Sequence, residues 1–123
     1  MRVYYFSFAT YATIAEKENT THRPDSKMSF HLWATSFLIG HDKNAPSNDW
    51  YENDGICNTI SMSHPSGSTV KNYDGIPQKG IWQIVERVNL DHQAVIGHNA
   101  SKGETKNIIA LYNKHTKLLY SLE

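Results

Sequence analysis

Hydrophobic and polar positions alternate in blocks along this chain, and the first block is the clearest. Val3, Tyr4, Tyr5, Phe6, Phe8 and Ala9 form an aromatic, β-prone run that is apolar on both faces except at Ser7. A strand with one wet face would alternate, so a run of this kind predicts a strand covered on both sides, as in a parallel sheet. Residues 10–26 are polar, with Asn19, Thr20, Thr21, Pro24 and Asp25, and read as loop. A helix is predicted over 28–39: Met28, Leu32, Thr35 and Ile39 share one helical face, and Trp33, Phe37 and Leu38 widen the apolar surface. Ser26 is the expected N-cap and Gly40 the expected residue just beyond the C-terminus. Residues 41–53 read as loop. The composition of 56–62 suits a strand, but the segment is too short for periodicity to decide. Residues 64–80 carry repeated Gly, Pro and Asn turn signals. A second strand is predicted over 81–90, with Ile81, Trp82, Ile84, Val85 and Val88 as its apolar positions. Ser101 and Glu104 form a capping box that opens a final helix striped by Ile108, Leu111, Tyr112, Leu118, Leu119 and Leu122. Lys114 and Lys117 lie toward its C-terminal half, where they suit the helix dipole.

The order strand, helix, loop, strand, helix predicts an α/β fold with parallel strands, in one compact unit spanning residues 1–123. Two or three strands make a small parallel sheet, and the doubly apolar first strand calls for neighbours that these residues hardly supply. The expectation is therefore one part of a larger α/β sheet with flanking helices. Twelve basic and twelve acidic residues cancel, and no polybasic run occurs, which argues against a nucleic-acid or membrane-surface partner held by bulk charge. No apolar run is long enough to span a membrane. Met1 and Arg2 lead directly into the aromatic run, so no export signal is read at the start. The single cysteine, Cys57, excludes an internal disulfide and reads as a small buried filler.

Two positions carry the chemistry. Asp54 sits in an Asn53-Asp54-Gly55 turn, and His92 follows Asp91 directly after the second predicted strand. Each alone has an ordinary explanation, a turn aspartate and a surface histidine. Together they place an acid and then a histidine after separate strand-forming regions, at the strand ends where α/β folds build their sites. That is the order of acid and base in an α/β-hydrolase. No serine has a glycine two positions before it, so the G-x-S-x-G nucleophile elbow is absent from residues 1–123. The other histidines (His22, His31, His41, His64, His98 and His115) show no metal-ligand spacing and read as surface residues, although His98 could approach His92 in a loop. The sequons at Asn19 and Asn99 read as chance matches. Trp33, Phe37, Leu38 and Ile39 could line an acyl pocket, but packing of a helix on a sheet is the preferred reading.

The segment from Trp50 through Asn53-Asp54-Gly55 to Met62 resembles the acid-bearing segment of the secreted lipases of staphylococci and thermophilic bacilli. Tyr73-Asp74-Gly75, Lys79-Gly80-Ile81-Trp82-Gln83 and Asp91-His92 resemble the segments that follow in that family, and residues 3–10 a late strand. The resemblance covers nearly the whole chain in the right order. It implies the C-terminal portion of an α/β-hydrolase, with Asp54 as the triad acid, His92 as the base, and triacylglycerols or other carboxylic esters as substrates. It also implies an extracellular location, and calcium bound just beyond the catalytic histidine. Of the implied calcium ligands Asp91 is present, and a backbone carbonyl near Lys27 could contribute. The family's acidic positions are occupied here by Ala94, Asn99 and Lys102, so a degraded site with weak or no calcium binding is expected. The functional expectation is a lipase segment that supplies acid and histidine and is inactive without a serine from elsewhere. The alternatives are a non-catalytic remnant of a truncated frame and a small binding module.

Overall fold

The computed structural model describes residues 3–122; Met1 and Arg2, where the absence of an export signal was read, lie outside them. Its contacts divide the chain into two compact units, one ending at His92 and the other beginning at Gln93, where the sequence suggests a single unit.

The first unit is built on a three-stranded, wholly parallel sheet. β1 (Tyr5–Thr10) and β4 (Val70–Asn72) flank β5 (Trp82–Val88). Parallel pairing of the two strands read from the sequence is therefore correct, and β4 is a third strand hidden in a segment that reads as irregular. Tyr5 pairs with Trp82 and Thr10 with Val88, with a one-residue shift between Ser7 and Phe8. The Tyr5 and Trp82 rings stack across the pair, centroids 5.1 Å apart, and Phe6 meets Tyr73 edge-on. Burial along β1 differs from the expectation of cover on both faces. Ser7, Ala9 and Thr10 are buried, whereas Tyr5, Phe6 and Phe8 are only half-buried. The strand makes its sheet bonds on one side and lacks full cover on its faces.

Residues 10–26 are not a plain loop. β2 (Thr13–Ala15) and β3 (His22–Pro24) form a short antiparallel hairpin. A 3-10 turn at Phe30–Leu32 then runs into α1 (Trp33–Gly40), later than the predicted start. Ser26 does not cap it: Leu32 holds the N-cap position of α1 and gives no side-chain cap bond. Gly40 is the last helical residue rather than the one beyond it, and its reason is contact. A Cβ there would lie 2.1 Å from the His22 carbonyl oxygen, so the missing side chain lets α1 and β3 touch. The preferred packing of α1 through its large apolar residues is also overturned. Ser36 and Gly40 are its buried residues, while Trp33, Phe37 and Leu38 are exposed, Leu38 at 70%. Gly40 meets the hairpin because the helix approaches too closely there for a larger residue.

The undecided segment at 56–62 contains a one-turn helix, α2 (Thr59–Ser63), laid against β1. The Thr59 hydroxyl donates to the Thr10 carbonyl at 2.9 Å, and the Ser7 hydroxyl donates to the Ser63 carbonyl at 2.6 Å. Ala12, Met28 and Leu32 form a small apolar core beside the hairpin. In the second unit, α3 (Lys102–Tyr120) starts with the predicted capping box, Ser101 accepting from the Glu104 amide and the Glu104 carboxylate accepting from the Ser101 amide. Ile108 and Leu118 are the buried members of its stripe. No helix among the described residues is long and apolar enough to cross a membrane.

Candidate active site

Asp54 and His92 meet at the C-terminal edge of the parallel sheet. β5 ends at Val88 and the chain passes through Asn89, Leu90 and Asp91 to His92. The Asn89 amide holds this exit by donating to the Tyr11 carbonyl at 3.1 Å and to the Asp25 carboxylate at 2.9 Å, which ties the ends of β1 and β5 together. The His92 backbone N–H donates to the Asp54 carbonyl at 2.9 Å, and the two side chains close a second link, His92 Nδ1 to Asp54 Oδ2, also 2.9 Å. Two parallel ties over four residue atoms fix both the position and the ring orientation of the imidazole.

Asp54 is fully buried, and its carboxylate is satisfied on both oxygens. Oδ1 accepts the backbone N–H groups of Ile56 at 3.1 Å and Cys57 at 2.8 Å. Oδ2 accepts the Thr10 hydroxyl at 2.6 Å besides the His92 ring. Each of these donors replaces part of the hydration that burial removes from the carboxylate. The turn that delivers it depends on its neighbours. Asn53, also fully buried, donates to the Ser36 and Tyr51 carbonyls and accepts the Gly55 N–H at 2.9 Å. Gly55 has φ of 100°, a conformation that side chains other than glycine resist, and a Cβ there would approach Leu32 Cβ to 2.9 Å. The Thr35 hydroxyl donates to the Gly55 carbonyl at 2.6 Å, so α1 lies directly against the turn.

Thr10 is the supporting residue that the sequence reading missed. It was the last residue of a resembling strand and carried no role; its signal was only its place at the end of β1. Cys57 was also misjudged as buried filler. It is half-buried, and its sulfur lies with one ligand atom each of Asp54 and His92 in a group whose members are all within 4.8 Å. Burial pushes the Cys57 thiol above its ordinary range, and the Asp54 charge pushes the same way. Of the remaining histidines in this unit, His22 bonds the Thr13 hydroxyl at 3.1 Å, His41 pairs with Glu16 at 3.0 Å, and His64 faces the Pro65 carbonyl. A cleft of about 520 Å³, lined in part by Ala9, Glu52, Thr59, Ile84 and Arg87, lies on the sheet face under α2, and neither Asp54 nor His92 lines it.

Of the calcium ligands that the resemblance implies, Asp91 lies in the first unit. Asp91 is fully buried, and its Oδ2 accepts the Ser29 N–H at 2.7 Å. Calcium takes six to eight oxygens, and at the other implied positions the chain offers an alanine, a neutral amide and a lysine.

Comparison with known proteins places the chain in a family. A family model described as the lipase-like C-terminal domain matches residues 2–121. Lipase 1 of Staphylococcus aureus is 31% identical over 100 residues, which is 80% of this chain and 14% of that protein. A lipase of Staphylococcus epidermidis is 30% identical over 98 residues. Among solved structures, Staphylococcus hyicus lipase superposes with a TM-score of 0.75 at 27% identity, over 98% of this chain and 30% of its own. EstA from Clostridium botulinum does so with a TM-score of 0.70 at 27% identity, over 87% of this chain and 27% of its own. The chain thus spans about a seventh of the curated relatives, 14% for the first.

Proposed function

Since the chain belongs to the lipase-like C-terminal domain family, an α/β-hydrolase segment, we propose that it supplies the acid and the base of a serine hydrolase acting on carboxylic esters, triacylglycerols among them. The observation that carries this reading is the 2.9 Å bond from His92 Nδ1 to a fully buried Asp54. Asp54 holds the proton on Nδ1 and leaves Nε2 as the basic nitrogen. Nε2 takes the proton of an attacking serine hydroxyl as the serine oxygen bonds the ester carbonyl carbon. The imidazolium, stabilised by the Asp54 charge, returns that proton to the departing alcohol oxygen. The same nitrogen then deprotonates the water that releases the acid and regenerates the serine. The exposed apolar side chains of Trp33, Phe37 and Leu38, on the helix that touches the Asp54 turn, support an apolar acyl group as substrate.

Residues 1–123 contain no nucleophile elbow, so the serine and the oxyanion-hole donors come from polypeptide outside them. In this proposal the segment alone is inactive, and activity requires an N-terminal α/β-hydrolase portion carrying G-x-S-x-G. The resemblance to staphylococcal lipases supports an extracellular setting. Calcium binding is weak or absent, and calorimetry giving micromolar or tighter affinity for the chain would contradict that.

The test is hydrolysis of a p-nitrophenyl ester. The purified chain should give no more than the background rate. Mixed or co-expressed with a lipase portion bearing the serine, it should restore turnover, and His92→Ala should lower that turnover by roughly 10⁴-fold or more. Turnover by the chain alone that disappears in His92→Ala would show a nucleophile within residues 1–123. Restored turnover insensitive to His92→Ala would remove His92 from the mechanism.

A further inference from the structure

The turn that carries Asp54 also carries a thiol to the same place. The Asp54 N–H donates to the Cys57 carbonyl at 3.1 Å, and the Cys57 N–H returns to Asp54 Oδ1 at 2.8 Å. These reciprocal bonds close residues 54–57 into a tight loop and hold the two side chains three positions apart on one side of it. His92 reaches that side from the end of β5. The result is a carboxylate oxygen, a thiol sulfur and an imidazole nitrogen all within 4.8 Å of one another.

We propose that Asp54, Cys57 and His92 form a binding site for a thiophilic divalent cation of the zinc class. Bond lengths of about 2.0 Å to nitrogen and oxygen and 2.3 Å to sulfur set ligand-to-ligand edges of about 3.3–3.6 Å in a tetrahedral site. The His92–Asp54 pair is already at 2.9 Å, so it must open slightly, and the sulfur must close from at most 4.8 Å. Side-chain rotation supplies both movements, because Cys57 is half-buried and the His92 side chain is 44% exposed. Exposure on that side also gives the ion an entry path and a water for its fourth position. Asp54 stays oriented throughout, since the Thr10 hydroxyl and the Ile56 and Cys57 amides bond its oxygens independently of the ion. Such outer bonds are what hold a metal-ligating carboxylate in place. A thiolate and an imidazole select zinc, cobalt or cadmium over calcium or magnesium, which prefer all-oxygen sites. Binding is not a redox step. The thiol proton leaves to solvent, and the His92 proton moves by way of solvent from Nδ1 to Nε2, so that a thiolate and a neutral imidazole meet the cation.

An occupied site would use the Asp54–His92 link that the proposed catalysis needs, so the cation would silence the base. The site itself rests on the geometry of the three side chains and not on turnover. Cobalt(II) is the probe. Titrated into the purified 123-residue chain, it should bind one ion per chain and give the near-ultraviolet charge-transfer band of a thiolate ligand, and added zinc should displace it. Cys57→Ser should abolish the band and weaken binding at least about tenfold, and His92→Ala should weaken it by a similar factor. His64→Ala should change neither, and far-ultraviolet circular dichroism should match across the variants. Cobalt that gives no thiolate band with the unaltered chain, or binds Cys57→Ser equally well, overturns the proposal. Because the readout is optical, failure here leaves the acid–base reading untouched, and a failed ester assay leaves the metal site untouched.

Discussion

At the scale of the residue, the site is decided by how one carboxylate is satisfied. Asp54 has no exposure, and four donors replace the water it loses on burial: two backbone amides, the Thr10 hydroxyl and the His92 ring. Asp54→Asn keeps the shape and inverts part of that pattern, since an amide NH₂ must then face a donor. The expected cost is about 3 kcal/mol of stability, read from urea unfolding. In the reconstituted enzyme the same change should lower kcat by roughly 10⁴-fold with little change in KM, because an amide selects the wrong tautomer of the base. Thr10 acts through Asp54 and is a positioning residue. Thr10→Val removes a 2.6 Å bond to a charged acceptor and should cost about 1.5–3 kcal/mol, and Thr10→Ser should restore most of it. Equal stability of the valine and serine variants would show that the hydroxyl does not support the carboxylate.

At the scale of the element, α1 and the hairpin are held by close approach rather than by large apolar faces. Gly40→Ala would put a methyl group 2.1 Å from the His22 carbonyl, a backbone atom that cannot swing aside. The change should destabilise the first unit by about 3 kcal/mol or more, measured as a lower urea midpoint. The same hairpin is acid-sensitive. Burial holds His22 below its ordinary pKa, against the opposing pull of the Glu52 and Glu16 charges. The unfolded chain therefore binds more protons than the folded one as pH falls below about 6.5, the ordinary histidine value. Its contribution is complete above that pH and declines beneath it until the lower folded pKa is reached. Urea midpoints should fall between pH 7.5 and pH 5.5, and His22→Gln should flatten part of that slope, whereas an unchanged slope would assign the sensitivity to other groups. These contacts explain what the sequence could and could not reveal. β1, β5 and α3 were legible because each is long enough to write its own pattern, a two-faced apolar run or a capping box. The hairpin and β4 have three-residue strands, below the length at which periodicity speaks. α1 was legible as a helix, and Met28 and Leu32 of the expected face are buried, but Trp33, Phe37 and Leu38 are exposed, because apolarity was read as burial where glycine and serine are the buried residues of the helix. Asp54 and His92 were legible from their order and from the resemblance. Thr10 and Cys57 were not, because their importance comes from the fold bringing positions 10, 54, 57 and 92 together.

At the scale of the whole chain, the interior is built for the site more than for independent stability. Among the described residues the largest fully buried side chains are Gln83, Asn53, Asp54, Asp91 and Ser36, all polar, while Ala12, Met28 and Leu32 make up the buried apolar cluster. A polar interior is stable when its hydrogen bonds are complete, but it supplies little of the apolar burial that drives folding. β1 meanwhile pairs with β5 along one edge, and among the described residues its other edge has no strand. In Staphylococcus hyicus lipase the matched part is 30% of the chain, so most of that protein lies outside the matched segment. An open strand edge beside half-buried Tyr5, Phe6 and Phe8 invites strand addition from a second copy. The isolated chain should therefore associate. Light scattering coupled to size exclusion should show mass rising with concentration, and the β1 amides should gain exchange protection as it does. Addition of the serine-bearing portion should reverse both changes, because it competes for the same edge. A monodisperse monomer whose β1 amides exchange no faster in isolation than in the reconstituted enzyme would instead describe a self-sufficient module, and the proposed division of the hydrolase between two polypeptide portions would lose its physical basis.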